Sequence, residues 1–446
     1  MVKRVPGGLL TLPNVIIMYP TVVAIRPHLE RIVMGCRETS PGGLSRRDPL
    51  KLSKVPDGVI HVPAAPPSCF ADPFGDEARQ WVHKVVGCCL NEGLDGVIAG
   101  SDDEIYALSA NVNVLESNGI ALLHPKWSAV EGLSDTYNLV ELATSVGIEC
   151  PWTRLLSSFM EWLGSAPYPL IIKARRSQGA VGVHRVLDRR QLVEFCNNCS
   201  DGLDNWIAQE YIPGSVEPSV TYWPAEGGEG LQVFHVKHRY LGPGVSTAVE
   251  SIEPFVDPSA IRKLAFVAGA VGHLGLQFKV DLRDYSVKLI EVNTRLGQNS
   301  RLVYSMLEDP GAELLRPFGL NSLGTAASVP PGTIAYSPVD DLIATAVWLR
   351  SRSYSSVDNP APGAWRFIRQ IYRSYAGKSR KTDVLTRQLK AEPLVIGEIY
   401  RRLFRAVTAE PQRLIPWGSS ADSMRRLQGG LWRGLEVTSE GSSRMD

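Results

Sequence analysis

The sequence predicts an α/β domain, then an α+β domain, then a mostly helical C-terminal region. Up to about residue 124, short apolar runs alternate with segments of helical period, the mark of a parallel sheet covered by helices. From 125 to 329, strand-like runs follow one another with few helices between them, an α+β pattern. From 330 to 446 the period is helical, and Lys and Arg outnumber Asp and Glu by about eighteen to eleven over 331–446.

In the first segment, "NVIIMYP" (Asn14–Pro20), "GVIHVP" (Gly58–Pro63) and "DGVIAG" (Asp95–Gly100) read as buried strands. "DEARQWVHKVVGCCLNEG" places Trp81, Val82, Val85, Val86 and Leu90 at helical spacing, and "DDEIYALSANVNVLESNG" has the same period. "GSDDE" (Gly100–Glu104) follows the third strand, where open α/β sheets place ligand-contacting loops.

In the second segment, "SDTYNLVELATSVGI" is a helix that stops at a glycine. "YPLIIKARRSQGAVGVHRV" reads strand, Gly-rich turn, strand; "QLVEFCNNC" is a short helix and "NWIAQEYIPG" a strand ended by Pro-Gly. "SVTYW", "LQVFHVKHRYLG" and "GLQFKVDLRDYSVKLIEVN" are antiparallel strands, with "RDYS" as a turn and "SAIRKLAFVAGAVGHLG" as an amphipathic helix among them. Beyond 330, "VDDLIATAVWLRSRS", "AWRFIRQIYRSYAG" and "LVIGEIYRRLFRAVT" are helical, and the tail "TSEGSSRMD" is expected to be disordered. The basic excess fits an acidic ligand, a homodimer contact or a solvated helical face, the last preferred.

A net charge of +1 gives no electrostatic case for nucleic acid or an acidic membrane, and no apolar run reaches the roughly 18–20 residues of a membrane span. Seven scattered cysteines fit free thiols in a reducing cytoplasm; the lone Cys196-x-x-Cys199 lacks the second ligand pair of a structural zinc site.

Three blocks carry chemistry. In "KVDLRDYSVKLIEVNTR", strand alternation puts Lys279 with Asp281 and Glu291 with Asn293, so two carboxylates and an amide oxygen converge as hard ligands suited to Mg2+. Arg295 follows, placed to stabilise charge on a transferring phosphoryl group. In "IIKARRSQGAVGV", Lys173 precedes a loop of Ser177, Gln178, Gly179 and Gly182 in which backbone N–H groups can approach phosphate. In "AQEYIPGSVE", a strand ends at a corner between Glu210 and Glu217, where backbone can bond an adenine edge and a carboxylate the ribose hydroxyls. Each block alone also fits a charged surface strand, a hairpin turn or an acidic loop.

Together and in this order, the blocks resemble the ATP-grasp superfamily over roughly Ala121 to Leu302, and the preceding α/β segment resembles the domain before it in carboxylate–amine ligases. The resemblance implies two sheets clasping ATP, an α/β domain over 1–124, an ATP-grasp domain over 125–329 with a lid at about 150–215, and a helical region over 330–446. It implies nucleotide contacts from Lys173, Ser177, Gln178 and Gly179, an adenine linker of Glu210, Tyr211 and Ile212, and a ribose contact at Glu217. It further implies Mg2+ (or Mn2+) at Asp281, Glu291 and Asn293, and reacting groups steadied by Arg295, Lys279 and Lys237, with His238 and Arg239 on the same strand. Asn299 and Arg301, just past Gly297, are the first candidates to meet the substrate carboxylate. One departure stands out: Asp135-Thr136 replaces an Asp-Lys pair of many members, and Lys126 substitutes only if its loop folds back. The implied reaction joins a small-molecule carboxylate to an amine through an acyl phosphate, releasing ADP. A bicarbonate-using carboxylase and a nucleotide-binding regulatory protein remain as alternatives.

Overall fold

The computed structural model describes residues 7–12, 15–36, 53–176, 182–200, 202–213, 216–242, 245–297, 299–319, 329–341 and 379–409. The chain begins with five parallel strands: β1 (Gly8–Thr11), β2 (Arg31–Cys36), β3 (Gly58–His61), β4 (Gly96–Ile98) and β5 (Ala121–Leu122), in the order β3-β2-β1-β4-β5. The helix Asp76–Asn91 buries Trp81, Val82, Val85 and Val86, as its period predicts, while Leu90 is exposed.

"NVIIMYP" is not a strand. Val15–Ile25 is a helix that continues through Pro20. Met18, Tyr19, Val22 and Ile25 are all fully buried. A short run that is apolar throughout has no period to separate a strand from a buried helix, so the sequence signal was ambiguous here. This helix packs against the later helices Ser300–Met306 and Pro310–Leu315. One apolar cluster therefore runs from Leu9 and Ile32 through Trp223 and Tyr304 to Ile396, joining the first segment to the C-terminal one.

The second sheet is antiparallel: β6 (Thr153–Leu155), β7 (Leu170–Ala174), β8 (His184–Val186) and β9 (Trp206–Glu210), in the order β6-β9-β7-β8. The helix Arg189–Asn198 covers it, started by Asp188, whose carboxylate accepts a bond from Gln191 N.

The third sheet has seven strands: β10 (Pro218–Pro224), β11 (Gly230–Gly242), β12 (Val245–Ser251), β13 (Leu274–Val280), β14 (Val287–Asn293), β15 (Ile334–Tyr336) and β16 (Arg380–Thr382). Their order is β14-β13-β10-β11-β12-β15-β16. Two of them, β15 and β16, come from the region read as helical; each has only three residues, too few to show alternation. "LVIGEIYRRLFRAVT" lies in the helix Pro393–Ala409, whereas the two other C-terminal helices and the tail fall outside the described residues.

Alternation decides what this sheet does. Val220, Tyr222, Phe234, Leu274, Leu276, Phe278 and Val292 face a core shared with the helices Thr136–Ser145 and Pro258–Ala268. The residues between them on β10, β11, β13 and β14 belong to the other face, and most are polar: Ser219, Thr221, His235, Lys237, Gln277, Glu291 and Asn293.

Among the described residues, no helix is long and apolar enough to cross a membrane. The seven cysteines are free, and no group of three or more His, Cys, Asp or Glu among the described residues is placed to hold a metal ion.

Candidate active site

The polar face of the large sheet opens into a small cleft lined by Lys237, Gln277, Asn293, Arg295 and Asn299 among others. The hairpin β13–β14 sets its geometry. Gly275 pairs with Asn293 and Gln277 with Glu291, then the register shifts and Phe278 pairs with Leu289. The bulge at Ile290 frees a carbonyl from the ladder. Lys173 Nζ, reaching from β7, donates to that Ile290 oxygen at 3.1 Å. Burial lowers the Lys173 pKa, and the neighbouring Glu291 carboxylate partly offsets this. The Lys173 strand and the Glu291–Asn293 hairpin thus meet across the two sheets.

Asp281 does not join them. The register makes Gln277 the partner of Glu291, and Asp281 lies four residues further along, about 13 Å at strand rise. It falls in the turn beyond β13, where its backbone N–H bonds Ser286 O. Its carboxylate accepts bonds from Arg283 N and Nε, each at 2.9 Å. Period-2 reading gave the right face but not the position along it, because sequence does not reveal the bulge. Gln277 was missed; counted across the "RDYS" turn without the bulge, Glu291 falls opposite Phe278, so the sequence carried no signal for it.

The Arg283 guanidinium holds the Asp281 carboxyl down, from 3.8 to about 2. The folded pKa lies below the unfolded one, so this stabilisation is complete above about pH 4 and is lost as pH falls through about 2. Asp281→Asn is therefore expected to be less stable than wild type at pH 6, with the gap closing towards pH 2 in urea titrations. If Mg2+-dependent ATP turnover also collapsed in this variant, the structural assignment of Asp281 would be wrong.

Other expected residues fall in different places. Glu210 is engaged by Lys288 Nζ at 3.1 Å, by Trp152 N at 3.3 Å and by Arg283 Nη2. Burial raises its pKa, but these bonds outweigh that and the net direction is down. Its carboxylate ties the small sheet to the hairpin, leaving the corner at Tyr211 and Ile212 for a ligand. Tyr211 lies under Arg185 (4.3 Å to the ring centre) and Lys279 (5.6 Å), and Ile212 is buried. Lys279 therefore stands at the Tyr211 end, four residues along β13 from the Gly275 that pairs with Asn293, and not beside Arg295. Lys237 Nζ is 2.6 Å from Gln277 Oε1 and 3.5 Å from Glu217 Oε2. Ser177, Gln178 and Gly179, and the side chains of His238 and Arg239, lie outside the described residues.

Arg295 Nε donates to Asp102 Oδ1 at 2.8 Å. The "GSDDE" loop thus reaches the site, though the pairing was not legible in the sequence. Asn299 Oδ1 accepts bonds from Ser246 N (3.2 Å) and Oγ (3.1 Å) at the edge of the cleft. Arg301 does not meet a substrate; it is buried against Asp340 and Asp383. Lys126 does not fill the gap at Thr136, because it pairs with Glu116 on the surface at 2.9 Å. The cations beside Asp135 are instead Arg175 at 3.0 Å and Arg176 at 3.5 Å.

The donor set suits Mg2+. Glu291 offers a carboxylate, with Asn293 two residues on and Gln277 opposite. Mg2+ binds through one or two carboxylates when substrate phosphates complete its shell. Gln277 is the weakest member, since Lys237 already occupies its Oε1.

A small antiparallel sheet and a large mainly antiparallel one joined through Lys173 and Ile290, a preceding parallel sheet, and Glu-x-Asn-x-Arg leaving the central hairpin give the arrangement that the resemblance to the ATP-grasp superfamily implies. No family model matches it. It is similar over 219 residues to the D-alanine–D-alanine ligase of Anaplasma marginale (strain Florida), at 26% identity, covering 46% of this chain and 61% of that protein. It is also similar over 139 residues to the D-alanine–D-alanine ligase of Wolbachia pipientis subsp. Culex pipiens (strain wPip), at 25% identity, covering 29% and 44%. The chain thus spans less than two thirds of the length of these curated relatives. In fold it is similar to the biotin carboxylase domain of Hydrogenobacter thermophilus 2-oxoglutarate carboxylase, solved with MgADP and bicarbonate (TM-score 0.58, 14% identity, 74% of each chain). It is likewise similar to an L-amino acid ligase from Bacillus licheniformis (TM-score 0.53, 16% identity, 73% and 78%).

Proposed function

We propose that the protein is an ATP-dependent ligase that activates a carboxylate as an acyl phosphate and joins it to an amine. The observation that carries this is the approach of Lys173 to Ile290 and Glu291 across the two sheets, next to a cleft lined by Asn293, Lys237 and Arg295. A small sheet supplies a cation for phosphate, and the large sheet supplies a hard-oxygen set followed by a buried guanidinium. The ligase relatives support the same reading.

ATP lies between the sheets, with adenine at Tyr211 and Ile212 and its ribose near Glu217. Glu291 and Asn293, with Gln277 beside them, would hold Mg2+, which would supply positive charge against the phosphates. Lys173 meets the phosphates from the small sheet. Arg295, oriented by Asp102, and Lys237 hold the substrate carboxylate in line with the γ-phosphorus. The carboxylate oxygen forms a bond to phosphorus as the bond to the β,γ-bridging oxygen breaks, and ADP leaves with that electron pair. The amine nitrogen then attacks the acyl carbon, the carbon–oxygen bond to phosphate breaks with its electron pair leaving on phosphate, and the nitrogen loses a proton. Small-molecule carboxylates and amines are the partners this requires.

Arg295→Lys keeps the charge but loses the planar fork that bridges Asp102 and an anion. It is expected to lower kcat by about 10²-fold with KM for ATP changed only a few-fold. ADP release with paired amino acids, followed by a coupled-enzyme assay, measures both; a raised KM with unchanged kcat would remove Arg295 from the chemical step.

The likeness to a bicarbonate-bound carboxylase domain favours a second reading, in which bicarbonate is the carboxylate. ADP release that depends on added bicarbonate and ignores amino acids would select it.

A further inference from the structure

The hairpin register sets charge unevenly across the polar face of the large sheet. Gln277 of β13 pairs with Glu291 of β14 on one side and with Ser219 of β10 on the other. Lys237 reaches over β10 from β11, and its Nζ stands 2.6 Å from Gln277 Oε1 and 3.5 Å from Glu217 Oε2. Its side chain is only 3% exposed. A cation, a neutral amide and a carboxylate therefore form one row across this face.

The other acids near the row are committed. Asp102 is bonded by Arg295 at 2.8 Å, Asp135 by Arg175 at 3.0 Å, Glu210 by Lys288 at 3.1 Å and Asp281 by Arg283 at 2.9 Å. Glu250 belongs to the opposite face, because it pairs with Val236 and not with Lys237. Among the described residues that line the cleft there is no Asp or Glu. The neighbouring stretches outside the described residues, 177–181, 214–215, 243–244, 298 and 320–328, contain none in their sequence. Glu291 is the acid left for a metal, with Lys173 and Arg295 as its charged neighbours.

This carboxylate count limits the metal count. Mg2+ on phosphates is held by one or two carboxylates. Paired divalent ions stand about 3.5–4 Å apart, so a second ion needs an acid of its own beside Glu291. Gln277 occupies that place, but its amide oxygen is uncharged and turned to Lys237. An ammonium there repels a second dication and supplies positive charge itself.

We propose that the site takes one divalent cation per nucleotide, at Glu291 and Asn293, and that the Lys237 ammonium, fixed by Gln277, stands in for a second. The proposal rests on the nucleotide site of the ligase reading and goes beyond it in the metal count.

Mn2+ binding to the full chain tests this, read by electron paramagnetic resonance with a non-hydrolysable ATP analogue limiting and protein in excess. Binding without the analogue is subtracted. About one Mn2+ per nucleotide is expected, with no broadening from a second nearby spin. Gln277→Glu keeps the ammonium and is expected to stay at about one, held more tightly. The variant carrying both Lys237→Met and Gln277→Glu, checked for unchanged thermal stability, is expected to bind about two and to show the broadening. Two Mn2+ in wild type or in Gln277→Glu, one in the folded double variant, or Mn2+ binding that ignores the nucleotide would overturn the proposal. The first two counts stand whether or not the double variant folds. ADP release from ATP with paired carboxylates and amines separates the two readings. One Mn2+ with no turnover on any pair would sink the ligase and keep the metal count; turnover with two Mn2+ would do the reverse.

Discussion

Glu291→Gln should reduce ATP turnover by about 10²–10³-fold while the protein still folds. Glu291 is the one carboxylate of the hard-oxygen set; the other members, Gln277 and Asn293, are neutral amides. Its removal leaves nothing to balance the charge of a divalent cation beside Lys173, Lys237 and Arg295. The change is isosteric and the residue is partly exposed, so no cavity forms and stability should hold within about 0.5 kcal/mol. The converse change is equally informative. Gln277→Glu places a second carboxylate opposite the first and gives Lys237 a second charged partner beside Glu217, so the Mg2+ concentration for half-maximal turnover should fall. Turnover measured against Mg2+ concentration reads both. Undiminished activity in Glu291→Gln would remove the metal assignment.

Arg301→Met is expected to cost about 3–5 kcal/mol of stability, enough to unfold many domains of this size. Arg301 is 5% exposed and faces two carboxylates, Asp340 and Asp383, that are fully buried. Its Nη1 is 3.3 Å from Asp383 Oδ2. Asp383 also caps the helix Val384–Gln388 through Thr386 N at 2.9 Å. Without the guanidinium, both acids stay buried with less compensation than their desolvation demands. The pair also matters for position: it ties the helix Ser300–Met306, directly after the Gly297 corner, to the segments that carry β15 and β16. Urea unfolding of Arg301→Met and of Asp340→Asn, which leaves one acid for one base and should cost less, separates this from simple loss of packing. Equal stability of Arg301→Met and wild type would contradict the burial argument.

How far the sequence revealed these features depended on the kind of signal. Helices with one apolar face, such as Asp76–Asn91, were legible because their period is set by burial on one side. Pro258–Ala268 was legible as an amphipathic helix, but its end was not: the sequence pattern carries it to Gly275, whereas it stops at Gly269, at φ +65°, and β13 begins at Leu274. Val15–Ile25 was not legible, because a helix whose sequence is apolar nearly throughout shows no period. Strands β1, β2, β6 and β12, and the three-residue strands β15 and β16, gave too little alternation or adjoined stronger neighbours. In the site, local motifs revealed residue identities: Lys173, Lys237, Glu291, Asn293 and Arg295 all reach the sheet interface or the cleft. What sequence could not supply was register across a bulge, which exchanged Asp281 for Gln277, and pairing over long separations, which joins Arg295 to Asp102.

In the proposed reaction a carboxylate is phosphorylated by ATP on the polar face of the large sheet. Positional isotope exchange tests it most directly, using ATP labelled with oxygen-18 at the β,γ-bridge, Mg2+ and single carboxylates without any amine. Reversible transfer to a carboxylate frees the β-phosphate of ADP to rotate, so the label should scramble to non-bridging positions with at least one amino acid and should stop in Glu291→Gln. An unscrambled label with every carboxylate, under conditions where ATP binding is demonstrated, would contradict acyl phosphate formation and leave a nucleotide-binding protein without this chemistry.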